Sequence, residues 1–152
     1  MTQGAYRRVV TGLDEQGRST IAIDGSAIGL RDALGMIWRT GQVPADNASP
    51  EDGASAGFDM SRMQAGGTAF FVYEHHPCSG GFWHTTDTID YIVMLEGEVV
   101  FEVDTGEVVL KAGDFLVDRG ARHRWRNDTD RIAKAACIAI PAVPLAHAPA
   151  PE

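Results

Sequence analysis

Three polar side chains in the second half of the chain have the types and spacing of a catalytic or metal-binding set. His84 and Thr86 stand two residues apart in the run FWHTT, which we predict to be a β-strand, and Asp90 follows in the next apolar run. Side chains of a strand alternate between its two faces, so positions of equal parity share a face. We therefore expect these three side chains to point inward, with Ile92 and Met94 continuing the same face.

A second run, RHRWRN, carries the other histidine of interest. His123, Trp125 and Asn127 share one face of this predicted strand, and Arg124 and Arg126 take the other face. If both runs turn their histidines toward one interior, two imidazoles and one carboxylate meet in apolar surroundings. A carboxylate in such a place is costly unless it meets a cation or hydrogen-bond donors.

Three kinds of site would fit His84, Asp90 and His123. Two imidazoles and a carboxylate can hold one divalent metal, Fe, Mn, Ni or Zn, with open positions for water, O₂ or substrate. Without a metal, either histidine paired with Asp90 could act as general base and acid. The third reading is a small-ligand-binding barrel without catalysis, in which the histidines are structural.

Further side chains would support or extend this set. Thr86 carries a hydroxyl, which is a poor metal ligand but can form a hydrogen bond with a residue that is a ligand. His75 and His76 are adjacent, so at most one of them faces inward and could supply a further ligand. Tyr73 and Trp125 are core aromatics that could also line a pocket for a planar substrate.

The arginines beside His123 have two interpretations. Arg122, with Arg119, could bind a substrate carboxylate through its forked N–H groups, or could balance rim acids such as Asp118. Asn127 is expected to lie beside the pocket and assist it through hydrogen bonds.

The elements that must position these residues are predicted to be β-strands. The runs YRRVV (6–10) and STIAI (19–23) bracket a turn and predict a hairpin, and LGMIWRT (34–40) is another apolar run. Residues 43–67 are rich in Gly, Ala, Ser, Asp and Pro and are predicted to be a long loop. From residue 67 onward, short apolar runs alternate with turn residues: TAFFVYEH, FWHTT, DYIVMLEG, EVVFEVD, EVVLKAG, DFLVDRG, RHRWRN and IAKAACIAIPA. This spacing, without long amphipathic helices, predicts an all-β sandwich or barrel.

The length, charge and composition of the chain limit the kinds of molecule it is expected to bind. A chain of 152 residues with a formal charge of −8 is one acidic domain, which argues against nucleic acid or anionic lipid as its partner. No apolar run is long enough for a membrane span, and the N-terminal run is too polar for a secretion signal, so we expect a cytoplasmic protein. Cys78 and Cys137 are then expected to be free thiols.

The second half of the chain resembles the cupins, small double-sheet jelly rolls. Their first motif reads Gly-x5-His-x-His-x3–4-Glu-x6-Gly, and the segment from His84 to Gly97 keeps its spacing. Thr86 stands at the second histidine and Asp90 at the glutamate. The chain is similar to a divergent branch with the patterns W-H-x-T…D-Y and R-G-x-x-H-x-W-x-N.

The second cupin motif is also matched in part. Gly120, His123 and Asn127 keep their places in it, whereas Asp118 occupies its proline position and Gly113 is one residue closer than the pattern requires. The resemblance thus offers two histidines and one aspartate in place of the usual three histidines and one glutamate.

The resemblance implies a cupin-type double-stranded β-helix, a jelly-roll barrel over residues 67–141. Residues 1–66 would form N-terminal strands and a loop arm of the same domain, and residues 142–152 a flexible tail. It further implies a homodimer and a small-molecule enzyme with one divalent metal held by His84, Asp90 and His123. The expected chemistry is oxygenase or lyase/isomerase work on a small oxygenated or aromatic acid, with a metal-free His/Asp dehydratase or isomerase and a non-catalytic binding protein as alternatives.

Overall fold

The computed structural model describes residues 6–31, 34–55 and 66–146. The predicted loop at 43–67 and the predicted tail lie partly outside these ranges. The described residues form twelve strands: β1 (Arg7–Leu13), β2 (Ser19–Ser26), β3 (Ile28–Arg31), β4 (Leu34–Arg39), β5 (Ala69–His75), β6 (Ser79–Gly80), β7 (Thr88–Glu96), β8 (Glu98–Val103), β9 (Gly106–Lys111), β10 (Phe115–Asp118), β11 (His123–Asn127) and β12 (Ala133–Pro141). The all-β prediction is confirmed. Within the same ranges, no helix is long and apolar enough to cross a membrane.

Two sheets face each other and enclose the core. One has six strands in the order β10-β7-β12-β5-β4-β3, and the other has four in the order β6-β11-β8-β9. The period-two pattern of the strands explains this layering, because it gives each sheet one apolar face. The core cluster between the sheets consists of Ile92, Met94, Val99, Phe101, Leu110, Ala133, Ala135, Cys137 and Ala139. This is the predicted jelly-roll barrel.

The inner face of strand β12 is made of small side chains. Ala135, Cys137 and Ala139 are each at most 2% exposed, and they lie between the larger inner residues of β5 and β7. Half-buried aromatic side chains, among them Tyr73 and Trp125, pack against this cluster and keep accessible surface although they face inward. The space between the sheets is therefore not completely filled.

The N-terminal strands form the predicted hairpin and attach to the barrel. β1 and β2 pair as a separate two-stranded sheet, whose turn uses Gly17 with φ of 74°. Arg8, which is 6% exposed, binds both carboxyl oxygens of Asp52 and so holds part of the long connection against the hairpin. The hydroxyl of Tyr6 donates to Glu74 at 3.1 Å and joins the hairpin to β5.

The segment FWHTT is not the strand that the alternation predicted. Within it, only His84 bonds to the backbone of β11, exchanging two 3.0 Å hydrogen bonds with His123 as an isolated bridge, and just before it Gly81 donates to the Trp125 carbonyl at 2.7 Å. The ladder does not continue because the chain then bends toward β7. There it passes Gly120, whose positive φ of 76° and missing side chain let Thr86 approach, since a Cβ would lie 2.5 Å from the Thr86 carbonyl oxygen.

Candidate active site

The two predicted histidines meet at the start of β11. The ring centroids of His84 and His123 are 4.4 Å apart, and the backbone bridge between these residues fixes that proximity. His123 is 3% exposed and stacks on Phe101 at 4.9 Å, whereas His84 is half-buried beside the exposed ring of Phe82. One imidazole therefore lies inside the barrel and the other at its rim.

Both imidazoles are held through Nδ1. The Nδ1 atom of His123 lies 2.7 Å from the Ala121 carbonyl oxygen, and that of His84 lies 3.0 Å from the Phe82 carbonyl oxygen. A carbonyl only accepts, so each ring carries a proton on Nδ1, and the neutral form of either ring presents an unprotonated Nε2. Neither Nε2 has a hydrogen-bond partner among the described residues.

Asp118 is a site residue that the sequence reasoning placed only among rim charges. It is 3% exposed, its Oδ1 accepts from the Ala121 amide at 3.0 Å, and its Oδ2 lies 3.2 Å from Nδ1 of His123. That Oδ2 is close enough for ion pairing but lacks hydrogen-bond geometry with any described group. The signal that could have found it is the alternation along β10, where Phe115 and Val117 are exposed and Leu116 and Asp118 face inward.

Asp90 lies directly opposite Asp118 in the β7–β10 register, so the two carboxyl groups share the inner face. Burial raises the pKa of Asp90 to about 6. The nearby Thr88 hydroxyl and His84 lower this pKa and Asp118 raises it. Oδ1 of Asp90 and the Thr88 hydroxyl are both buried, and neither meets hydrogen-bond geometry with a described group.

The pKa of His123 is lowered, chiefly by burial, and His84 lowers it further. The Ala121 carbonyl and Asp118 act in the opposite direction. The ring is therefore neutral near pH 7. His84, Asp90, Asp118 and His123, which we call the acid–base cluster, thus influence one another electrostatically.

The predicted pocket residues are divided between the interior and other roles. Thr86 has a buried hydroxyl without a described partner, and its backbone carbonyl lies beside Gly120. The rings of Tyr73 and Trp125 meet edge to face at 6.1 Å inside the barrel. Burial raises the pKa of Tyr73, and the further causes, Cys137, Asp90 and Asp118, place it near the cluster.

The two adjacent histidines at the end of β5 face different ways, as we predicted. His75 faces inward against Tyr73 and Trp125, at 4.8 and 5.1 Å between centroids, and burial lowers its pKa to about 4. His76 is exposed.

Two predicted pocket residues have structural roles instead. Both ends of the buried Asn127 amide are used, by the carbonyls of His75 and Arg131 and by Thr129. Arg122 pairs with Asp104, not with Asp118, and its guanidinium lies 4.5 Å over the ring of Trp83. His75, Asp104 and Trp83 come from distant parts of the chain, which local reasoning did not consider.

The residues present do not fit a three-ligand metal site. Among the described residues, no group of three or more His, Cys, Asp or Glu side chains is placed to hold a metal ion. The two imidazoles lie side by side, but Asp90 faces Asp118 across the β7–β10 register.

The comparisons with known proteins agree with the architecture. A family model described as "Cupin domain" matches residues 69–139. The "Phomopsin biosynthesis cluster protein C'" of Diaporthe leptostromiformis is 31% identical over 131 residues, which are 79% of this chain and 69% of that protein.

Two further matches cover a smaller share of the matched protein. The "Oryzines biosynthesis cluster protein J" of Aspergillus oryzae is 40% identical over 85 residues, 55% of this chain, and the match spans only 48% of that protein's length. Among solved structures, a Cupin 2 conserved barrel domain protein from Salinispora arenicola aligns with a TM-score of 0.46 and 18% identity, over 49% of this chain and 64% of that one. With a matching family model and a relative of this similarity and coverage, the chain belongs to the cupin family.

Proposed function

We propose that this cupin is a metal-independent acid–base enzyme that moves protons on a small molecule, as a dehydratase or isomerase. One observation carries the proposal: a neutral, oriented imidazole at His123 shares the barrel interior with Asp90, a carboxyl whose pKa of about 6 leaves part of it protonated near neutral pH. A base and an acid whose environments move their pKa values in opposite directions are what proton-transfer catalysis requires.

In a dehydration, Nε2 of His123 takes a proton from the carbon next to a carbonyl group. The electron pair of that C–H bond forms the C=C bond, the C–O bond to the hydroxyl breaks, and Asp90 gives its proton to the departing oxygen as water. The imidazolium left behind is stabilised by Asp118, whose Oδ2 is 3.2 Å from Nδ1. In an isomerisation, a proton returns to a different carbon and no group leaves.

His84 has a separate role in this scheme. It is half-buried at the rim and its ring touches that of His123, so it connects the interior base with solvent. Protons can pass through it between turnovers without opening the barrel. The names of two relatives as biosynthesis cluster proteins support a small-molecule substrate.

A metal-dependent enzyme, an oxygenase or lyase with Fe, Mn, Ni or Zn, is the second candidate. The observation in its favour is that Nδ1 of both His84 and His123 is held by a carbonyl, the usual second contact of metal-bound histidines, while neither Nε2 has a partner in the described part of the chain. Asp90 would complete such a set only after leaving its position opposite Asp118.

Turnover before and after chelation tests the two candidates. Candidate hydroxy acids and enolisable carbonyl compounds are followed by NMR in D₂O for loss of water or deuterium uptake. We expect turnover to survive chelation, and His123→Gln or Asp90→Asn to lower it by roughly 10²-fold or more, while Asp87→Asn, an exposed neighbour, leaves it unchanged. Loss of turnover on chelation, with recovery by one divalent metal, would establish the second candidate instead.

A further inference from the structure

The outer face of the six-stranded sheet carries a row of large apolar side chains. Five residues lie opposite one another across β10, β7, β12, β5 and β4: Val117, Tyr91, Ile138, Phe70 and Trp38. Residues directly opposite each other in antiparallel strands point to the same face. Asp90, the neighbour of Tyr91 on β7, faces the interior, so Tyr91 and the rest of this outer row point away from the core.

Much of the outer row is exposed to solvent. Five apolar side chains on this face are between 38% and 80% exposed: Phe70, Tyr91, Phe115, Val117 and Ile138. At about 200 Å² for each large side chain, they present roughly 500 Å² of apolar surface. An exposed apolar patch of this size on one face of a protein commonly marks an interaction site.

The outer row and the row beside it are uncharged, in a chain of formal charge −8. The second row consists of Phe115, Val93, Ala136, Val72 and Gly35. Charged side chains follow at the end of the sheet, where Lys134 lies opposite Glu74 and pairs with Glu96 at 2.8 Å. Two copies of an acidic chain repel each other unless the surfaces that meet are uncharged. This face is therefore suited to contact with a second copy.

The hairpin β1–β2 has an apolar face of its own. Its register puts four apolar side chains on one face: Val10, Leu13, Ile21 and Ile23. The opposite face carries the ion pair of Arg7 with Asp24 at 2.7 Å. Toward the tip of the apolar face, Leu13 is 71% and Ile21 is 56% exposed. A two-stranded ribbon is marginally stable in water by itself, so this face needs a surface to pack against.

The hairpin is anchored beside the outer face of the sheet. Tyr6, just before β1, donates to Glu74 of β5 at 3.1 Å. Arg8 binds Asp52, and the next residue, Gly53, lies so close to Trp38 of the outer row that an added Cβ would be 2.8 Å from its ring. The root of the hairpin is thus fixed, while its apolar tip and the outer row both stay exposed within one chain.

The two surfaces together have the area that a stable dimer needs. A standard interface buries about 800 Å² on each partner, and the outer face alone offers roughly 500 Å². Leu13 and Ile21 add roughly 250 Å² more. If each copy contributes its hairpin and its outer row, each loses close to the standard area.

We propose that two copies of this chain form a dimer in which the hairpin of each copy packs its apolar face on the outer row of the other copy. The arrangement is reciprocal, so it closes after two copies and leaves neither apolar surface open. The contact lies on the outside of the barrel, on the opposite face of the sheet from Asp90. It is therefore independent of the acid–base proposal.

Sedimentation velocity on the full chain tests the dimer. We expect a dimer whose dissociation constant rises on the order of 100-fold or more with Tyr91→Glu in the outer row, and likewise with Ile21→Glu in the hairpin, since each buries a charge in an apolar contact. Val9→Glu on the other face of the hairpin and Val109→Glu on the four-stranded sheet are the matched controls, at exposed apolar positions. They should leave the dimer unchanged, and circular dichroism checks that all four variants are folded.

Mixing the two disruptive variants distinguishes hairpin exchange from a simple sheet-to-sheet contact. In a pair of Tyr91→Glu with Ile21→Glu, one of the two reciprocal contacts joins an unsubstituted hairpin to an unsubstituted sheet. We expect the equimolar mixture to dimerise at least about tenfold more tightly than either variant alone. An unsubstituted chain that stays monomeric, a dimer that resists either substitution, or a mixture no tighter than its components overturns the proposal.

Discussion

Two buried polar clusters lie at opposite ends of strand β11, and they differ in how completely their hydrogen bonds are satisfied. At the C-terminal end, Asn127 donates to the carbonyls of His75 and Arg131 at 2.9 and 2.7 Å. It also accepts from the amide and hydroxyl of Thr129 at 3.0 and 2.7 Å. At the N-terminal end, beside His123, one oxygen of each carboxyl group in the acid–base cluster and the hydroxyls of Thr86 and Thr88 have no hydrogen-bond partner among the described residues.

The buried side-chain atoms without a hydrogen bond among the described residues are unevenly distributed. They are Asp90 Oδ1, Asp118 Oδ2, Thr86 Oγ1, Thr88 Oγ1 and His75 Nε2. The first four belong to the His123 end, and the fifth lies against aromatic rings. Native proteins pair nearly all buried polar groups, so a concentration of exceptions needs a reason. We interpret the Asn127 end as the part that stabilises the fold and the His123 end as the part that is kept unsatisfied for substrate.

Removing the satisfied amide should have the largest effect on stability. Asn127→Ala leaves two carbonyls and an amide N–H unpaired and creates a cavity at a residue with 0% exposure. We expect the free energy of unfolding to fall by about 4 kcal/mol and Tm by on the order of 10 °C. Urea unfolding and calorimetry measure this.

The matched control is Asn47→Ala, at an exposed position, which should change the free energy of unfolding by less than about 0.5 kcal/mol. Equal effects of the two substitutions would show that the Asn127 network contributes nothing specific.

The contrast between these ends explains what the sequence could and could not predict. Alternation along β7 and β11 correctly placed Asp90 and His123 on inner faces, because a period of two is a local property. Strand positions followed in the same way from apolar runs between turn residues. The run FWHTT was assigned wrongly because whether a strand continues depends on its neighbour: only His84 finds a pairing position on β11.

The site residue that the sequence analysis did not identify, and the ion pair that it did not predict, depend on contacts between residues far apart in the sequence. Asp118 becomes a site residue through its register with Asp90, 28 positions earlier, and Asp104 rather than Asp118 pairs with Arg122. Pairing of this kind is set by tertiary structure, and no single run of residues contains it.

Substituting Asp90, whose buried Oδ1 lacks a described hydrogen bond, should raise the free energy of unfolding, whereas substituting Asn127 should lower it. Folding raises the pKa of Asp90 from 3.8 to about 6, so the folded state binds this proton more tightly than the unfolded chain does. The free energy of unfolding should therefore fall as pH rises through that window and stay lower above it. Asp90→Asn removes the penalty and should raise the free energy of unfolding at pH 8 by roughly 2 kcal/mol, with little change at pH 4.

Urea unfolding across this pH range, with the substituted and unsubstituted proteins side by side, measures the effect. Asp87→Asn, at an exposed position three residues earlier, corrects for the change in net charge. A stability difference between Asp90→Asn and the parent that does not vary between pH 4 and pH 8 would contradict the raised pKa, and with it the assignment of Asp90 as a proton donor.

The smallest expected effect on stability comes from removing a single hydroxyl group at either end of β11. Thr86→Val removes a buried hydroxyl that has no described partner and keeps the shape of the side chain, so we expect a gain of up to about 1 kcal/mol in the free energy of unfolding. Thr129→Val removes a hydroxyl that donates to Asn127 at 2.7 Å and should lose about 1 kcal/mol. Because both substitutions exchange the same atoms, opposite signs at unchanged m-value isolate hydrogen-bond satisfaction from packing. If both variants lose stability equally, the Thr86 hydroxyl has a hydrogen-bond partner in solution. The His123 end of β11 would then not differ from the Asn127 end in how well its hydroxyl groups are hydrogen-bonded.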